Sequence, residues 1–176
     1  GMEQFVRDAR IAQIYEGSNG VQAMDLAGRK LAQGGGAAIQ AFFKLVADEC
    51  TAAKGDEAIT DLAEKLEKAL GEQQAATMWF MQNAMANPNH LGAGAHHYMT
   101  MMGIVTLGLM WLKMARVATA KLSAGGEDAA FYRAKLVTAR YYAERYLPDV
   151  VALRRKLEAG ADAVMELDVE AFATAA

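Results

Sequence analysis

Apolar residues recur three and four positions apart along most of the chain, and runs of β-branched residues are almost absent. That spacing predicts helices and no strands. Residues 3–14 form a first short amphipathic pattern carrying Phe5, Val6 and Ile11. It breaks at Tyr15-Glu16-Gly17, where glycine can take a positive φ that other residues resist. A second helix follows, capped by Ser18 or Asn19. It sets Val21, Met24, Gly28 and Leu31 on one face and ends with Arg29 and Lys30, cations that complement a helix C-terminus. Gly34-Gly35-Gly36 stops it and is the expected boundary within the chain, dividing residues 1–35 from 36–176.

Four longer helices follow the glycines. The first covers residues 37–53 and turns Ile39, Phe42, Phe43, Val46 and Cys50 inward. Gly55-Asp56 reads as a stop and a new cap. The second covers 57–85, with a stripe of Ile59, Leu62, Leu66, Leu70, Thr77, Phe80 and Ala84 and a tolerated weak point at Gly71. Asn87-Pro88-Asn89 reads as a loop, because proline pushes the preceding residue away from helical angles. The third helix covers 93–123, and Gly103 and Gly108 on it leave room for a neighbouring helix. The fourth covers 128–159 and must kink or restart at Pro148, which cannot donate to the carbonyl of Glu144. Gly160 stops it, and one or two short turns around Met165-Glu166-Leu167 and Phe172 complete the chain. The expected fold is all-α: an antiparallel up-down four-helix bundle preceded by a short helix-turn-helix segment.

Composition narrows the function classes. Apolar residues make up 53% of the chain and charged residues 22%, as in ordinary globular proteins. The net charge of -3 and the lack of a basic run argue against a nucleic-acid binder. Cys50 is the single cysteine, so no internal disulfide can form, which suits a reducing cytoplasm and a buried apolar role. Residues 98–112 lack charge, but His96, His97, Lys113 and Arg116 flank them. The stretch falls short of the roughly 20 residues that cross a bilayer, and a central helix buried on most sides accounts for it. Gly1 before Met2 resembles a tag remnant, and the helical pattern then begins without a lead-in, so a piece of a longer protein is expected.

Most chemistry-bearing residues do not assemble into a site by spacing. His96 and His97 are neighbours on a helix and point about 100° apart, and with His90 they have no nearby carboxylate or cysteine to complete a ligand set; no metal is expected. Glu64, Glu67 and Lys68 form a solvated face. Met99, Met101, Met102, Met110 and Met114 are expected to fill the core. Gly34-Gly35-Gly36 lacks the Lys-Ser/Thr that completes a phosphate loop.

One ordered run stands apart: Arg7-Asp8-Ala9-Arg10-Ile11-Ala12-Gln13-Ile14-Tyr15-Glu16-Gly17-Ser18-Asn19-Gly20-Val21-Gln22. It resembles the acyl-CoA dehydrogenase signature R-D-A-K/R-I-x-x-I-Y-E-G-T-x-x-I-Q, with Ser18 in place of the usual Thr and Val21 in place of the usual Ile. Ala23-Met24-Asp25-Leu26-Ala27-Gly28-Arg29-Lys30-Leu31 looks like its continuation in a long-chain subgroup that carries an appended helical domain. Gly103-x4-Gly108-x2-Trp111-x2-Met114-Ala115, Phe131-Tyr132-x2-Lys135-Leu136-x2-Ala139-Arg140-Tyr141 and Leu147-Pro148 resemble that domain. The subgroup includes enzymes acting on 3-methylthiopropionyl-CoA and related short acyl-CoAs.

The resemblance implies that residues 1–35 end the dehydrogenase's own helical domain and 36–176 form the appended bundle. It implies FAD as cofactor, an acyl-CoA substrate and an electron-transfer flavoprotein as partner. Glu16 matches the base that removes the proton α to the thioester carbonyl, as hydride leaves the β carbon for the flavin and a trans-2-enoyl-CoA forms. Burial makes such a carboxylate more basic, and donors must hold the thioester oxygen as enolate character develops. Gly17 matches a position against the acyl-CoA, and Ser18, Asn19 and Gln22 match positions near the flavin dinucleotide. Nothing in the chain resembles the family's β-rich middle domain or N-terminal helical domain, so the chain alone is expected neither to hold FAD tightly nor to turn over. The alternative is a non-catalytic helical module for oligomerisation or partner binding, and the Met- and Ala-rich helices leave room for a homodimer.

Overall fold

The computed structural model describes residues 1–14, 18–125 and 127–173. Among them the regular structure is helical throughout. Helix α1 spans Met2–Ile14 and α2 spans Ser18–Asp25; a π-helical turn, Leu26–Lys30, and a 3-10 turn, Gln33–Gly36, lead into α3, Ala37–Ala53. Then come α4 (Thr60–Asn83), α5 (Pro88–Ala124), α6 (Ala129–Arg145), α7 (Asp149–Glu158), α8 (Asp162–Met165) and α9 (Val169–Ala173).

The glycine triplet works as the sequence suggests. Gly34, Gly35 and Gly36 all hold positive φ, at 60°, 67° and 82°, a conformation that costs a side chain-bearing residue energy and glycine almost nothing. Gly160, at φ 72°, likewise ends α7 and reverses the chain into α8.

Two boundaries differ from expectation. Asn87-Pro88-Asn89 is not a loop ahead of the helix but its first turn. Asn87 is extended, its side chain accepts from the backbone N–H of Asn89 at 3.1 Å, and Pro88 is the first helical residue. Proline is welcome there because that N–H would have no helical partner. At α4 the helix starts at Thr60 rather than at residue 57, since Asp56 Oδ1 draws the N–H of Ala58 into a turn first. Pro148 acts as a restart: α6 closes at Arg145, and Leu147, nearly fully buried, anchors the turn before α7.

The core gathers on one side of α5. Tyr98, Met101, Val105, Leu109 and Leu112 are buried there against Leu62, Leu66, Leu70 and Phe80 of α4, Val46 and Cys50 of α3, Tyr142 of α6 and Val150 and Leu157 of α7. Helix α5 packs on α2, α3, α4, α6 and α7. Two glycines make the closest approaches. A Cβ on Gly108 would lie 2.8 Å from Leu66 Cδ1 and 3.0 Å from Leu147 Cδ2, and one on Gly94 would lie 2.9 Å from both Leu157 Cγ and the Phe80 ring. Gly103 makes no such approach, with nothing within 4 Å of its Cβ position, and Gly94 takes the role expected of it.

Polar contacts tie the helices together. Tyr142 donates its hydroxyl to the carbonyl of Ile104 at 2.8 Å, joining α6 to α5. Arg154 on α7 pairs with Glu72 on α4, and Arg116 on α5 pairs with Glu49 on α3. Glu67, expected to be merely solvated, pairs with Lys54 at 2.7 Å.

The expectation that α5 is buried on most sides does not hold. Leu107, Met110, Met114 and Val117 are exposed on the side away from the core, so Met110 and Met114 are not core filler, while Met101 is buried and Met99 and Met102 half-buried. By length and composition α5 is long and apolar enough to cross a membrane; here its other face is the centre of a packed core.

Candidate functional site

The residues that the sequence marks for chemistry lie where α1 meets α2. Helix α1 carries no buried residue, and Phe5, Val6, Ile11 and Ile14 are exposed along it. Glu16 and Gly17 lie outside the described residues. Ser18, Asn19 and Gln22 occupy the first two turns of α2; Ser18 is half-buried, and Asn19 and Gln22 are exposed. Ser18 and Asn19 stand inside the helix rather than before it.

Helix α2 is held by small residues. Ala23 is its buried contact and Ala27 that of the π-helical turn, whereas Val21 and Met24 are exposed. The expected face of Val21, Met24, Gly28 and Leu31 therefore does not survive. The π-helical turn at Leu26–Lys30 accommodates one extra residue, so a spacing that assumes a uniform helix loses register there. Gly28 comes to rest against Leu91 of α5, whose Cδ2 lies 3.5 Å from the glycine's Cβ position. Asp25 accepts from Arg29 at 2.5 Å and pairs with Lys30 at 3.1 Å. The hydrogen bonds from Arg29 and Lys30 hold its carboxyl down at about 2.

Behind this segment is a cavity of about 500 Å³. The π-helical turn supplies Ala27 and Gly28, Leu31 follows it, α3 supplies Ile39 and Gln40, α4 supplies Phe80 and Met81, and Leu91 closes it from α5. Its polar groups are few: Thr77 reaches it from the core, where its hydroxyl lies 2.7 Å from that of Tyr98. Ser18, Asn19 and Gln22 do not line it. The spacing of apolar residues along the chain does not reveal this cavity. Met81 and Met85 of its lining were the available signal, exposed methionines at helical spacing at the end of α4 and just beyond it.

The remaining candidates stay apart from chemistry. His90 Nδ1 accepts the backbone N–H of Ala161 at 3.0 Å, and its ring packs edge-on to Trp79. His97 is held below the ordinary histidine range, first by burial and then by neighbouring His96 and Lys156. Among the described residues no group of three or more His, Cys, Asp or Glu side chains comes together to hold a metal ion. Cys50 is fully buried, and burial pushes its thiol up to about 11.

The family described as acetyl-CoA dehydrogenase C-terminal like matches residues 37–168, beginning one residue after the glycine triplet. The chain is 33% identical over 166 residues to a 3-methylmercaptopropionyl-CoA dehydrogenase of Ruegeria pomeroyi, covering 94% of this chain and 28% of that protein. It is 30% identical over 179 residues to the broad-specificity linear acyl-CoA dehydrogenase FadE5 of Mycobacterium tuberculosis, covering 97% of this chain and 29% of that protein. A butyryl-CoA dehydrogenase of Syntrophomonas wolfei is 26% identical over 172 residues, again with 28% of its length covered. The chain thus spans less than a third of the length of these relatives.

Proposed function

Because the chain belongs to the acyl-CoA dehydrogenases, through their C-terminal-like family, we propose that it is the C-terminal portion of an FAD-dependent enzyme that converts an acyl-CoA to the trans-2-enoyl-CoA. The observation that carries this reading is the ordered run at residues 7–22, which supplies a glutamate, a glycine and a helix start in the family's order. Glu16 takes the proton α to the thioester carbonyl. Gly17 lies against the acyl-CoA. FAD, when bound, would supply the acceptor for the hydride that leaves the β carbon.

The described residues fit the rim of a flavin site and not its enclosure. Ser18, Asn19 and Gln22 offer a hydroxyl and two amides at the start of α2, where free backbone N–H groups favour an anion. The cavity behind them is mostly apolar and, with no Lys, Arg or His in its lining, offers a pyrophosphate no cation. Most of the flavin contact must come from polypeptide corresponding to the rest of the longer relatives, so the isolated chain neither holds FAD nor turns over. Residues 1–35 belong with the catalytic domain and 36–176 form the appended unit. The positive-φ glycines and the start of the family match at residue 37 support that division. Short connections between α3, α4, α5 and the α6–α7 pair support reading the unit as an up-down bundle. In the whole enzyme an electron-transfer flavoprotein takes the electrons, and the lone buried Cys50 suits a reducing cytoplasm.

The test is Glu16→Gln in the enzyme that contains this segment. Exchange of the substrate α-proton with solvent is expected to vanish while the flavin absorption band persists. Exchange that continues at the parent rate removes Glu16 as the base. A purified isolated chain with a stoichiometric flavin band overturns the claim that it cannot hold the cofactor alone.

A further inference from the structure

The cavity of about 500 Å³ behind the π-helical turn has no charged side chain in its lining. Its volume falls within the range of about 300–1,000 Å³ in which small-molecule sites form. One wall is mostly backbone. Ala27 and Gly28 of the π-helical turn and the positive-φ Gly35 and Gly36 supply it, and glycine lets a guest lie close to the main chain. At the open end Met81 and Met85 are 66% and 91% exposed, and methionine adapts its shape to what it covers. The inner end is Thr77, which is only 4% exposed.

The inner end is short of a donor. The Thr77 proton goes to the carbonyl of Gln73 at 2.9 Å, so in the 2.7 Å contact between hydroxyls Tyr98 donates and Thr77 accepts. A hydroxyl oxygen can accept two bonds, and the second is open among the described residues. One helical turn deeper on the same face of α4, Gln73 is fully buried, and neither its Nε2 nor its Oε1 has a hydrogen-bond partner among the described residues. That amide stands at the same spot: burial raises the Tyr98 phenol, and Thr77 and Gln73 beside it draw it back. Buried amides are rarely left without partners, because the unmet bonds cost free energy. The inner end therefore suits a neutral group that donates to Thr77 and accepts from Gln73.

We propose that the cavity binds an uncharged, straight-chain aliphatic molecule ending in a hydroxyl or carboxamide, with its chain along α4 and its polar end at Thr77 and Gln73. Thr77 to Met85 rises about 12 Å along the helix. That is the extended length of a chain of roughly ten carbons, with bonds of about 1.5 Å set in zigzag. A thioester, an ester or an ionised carboxylate has no proton to give Thr77, so an acyl-CoA is not the guest. Glu16 and a flavin play no part in this binding. The polypeptide that completes the longer relatives is the competing occupant. Its apolar side chains could cover the walls but would leave the Gln73 amide unmet.

Calorimetric titration of the 176-residue chain with n-decanol tests the proposal. One molecule per chain is expected to bind. Methyl nonyl ether, an isomer that accepts hydrogen bonds but cannot donate, should bind about tenfold more weakly, and ionised decanoate and decanoyl-CoA at least as weakly as the ether. Ala84→Phe sets a ring in the cavity from a half-buried lining position; it should abolish binding and keep the parent melting temperature. Met78→Glu, on an exposed methionine outside the lining, should leave binding unchanged. Thr77→Val should close the gap between alcohol and ether, and the comparison in the parent chain stands by itself if that variant fails to fold. No binding of n-decanol, equal affinity for the ether, a gap that survives Thr77→Val, or undiminished binding by Ala84→Phe overturns the proposal. So does an enzyme containing this segment that ignores n-decanol while the 176-residue chain takes it up, since the remaining polypeptide would then be the occupant.

Discussion

The hydroxyls of Tyr98 and Thr77 lie 2.7 Å apart in the buried contact between α5 and α4, and Thr77 in turn donates to the carbonyl of Gln73 at 2.9 Å. Burial raises the Tyr98 phenol above its ordinary range despite this bond. Tyr98→Phe removes the phenol and leaves the Thr77 hydroxyl its bond to the carbonyl. A loss of about 1–2 kcal/mol is expected. Thr77→Val strands the phenol and should cost at least as much. A urea-denaturation double-mutant cycle should show coupling between the two, and additive losses would mean that the bond contributes nothing.

Glycines on the helices divide into two kinds. Gly94→Ala drives a methyl into the Phe80 ring and Leu157, and Gly108→Ala into Leu66 and Leu147; each should destabilise by roughly 1–3 kcal/mol. Gly71 in α4 is exposed with nothing within 4 Å, so Gly71→Ala should stabilise by about 0.5–1 kcal/mol. Thermal melts of the three variants give the ordering directly.

Cys50 offers a pH prediction. Its thiol, raised to about 11 by burial first and by the negative charge of Glu67 next, stays protonated in the fold where an unfolded cysteine would ionise. The stabilising contribution of the neutral buried thiol is complete below the unfolded pKa, near 8.5, and is lost as pH climbs through 11. The chain should therefore lose stability between those limits, and Cys50→Ala should flatten that part of the profile. At pH 8 a thiol reagent should label the native chain only at the rate of its unfolding. Rapid stoichiometric labelling would contradict the burial.

His90 fastens the end of α7 through the N–H of Ala161, beside Gly160 at φ 72°. Gly160→Ala forces a side chain into positive φ and sets its Cβ 2.9 Å from His90 Nδ1. Hydrogen exchange should accelerate in α8 and at Ala161 while the α4–α5 core stays protected. Uniform acceleration would mean that the turn is part of the global unit.

Much of the fold is legible along the chain because it rests on local physics. Helix α3 matches its expected span, Pro148 restarts the chain, and Gly34-Gly35-Gly36 and Gly160 stop helices through conformations that few other residues adopt. The run around Glu16 is likewise linear, so its resemblance needed no coordinates.

What only the tertiary structure decided is which apolar face meets which neighbour. The sequence marks α5 as apolar but does not say that one side holds the core and the other lies open at Met110, because hydrophobicity is the same on both. It marks Gly103 and Gly108 alike, yet packing against Leu66 and Leu147 falls on Gly108 alone. It does not foresee that Ala23 of α2 and Ala27 of the π-helical turn take the buried positions while Val21 and Met24 stay exposed, since burial there is decided by the elements packed against the segment. Propensity acts through the backbone nearby; burial is settled between segments far apart in the chain.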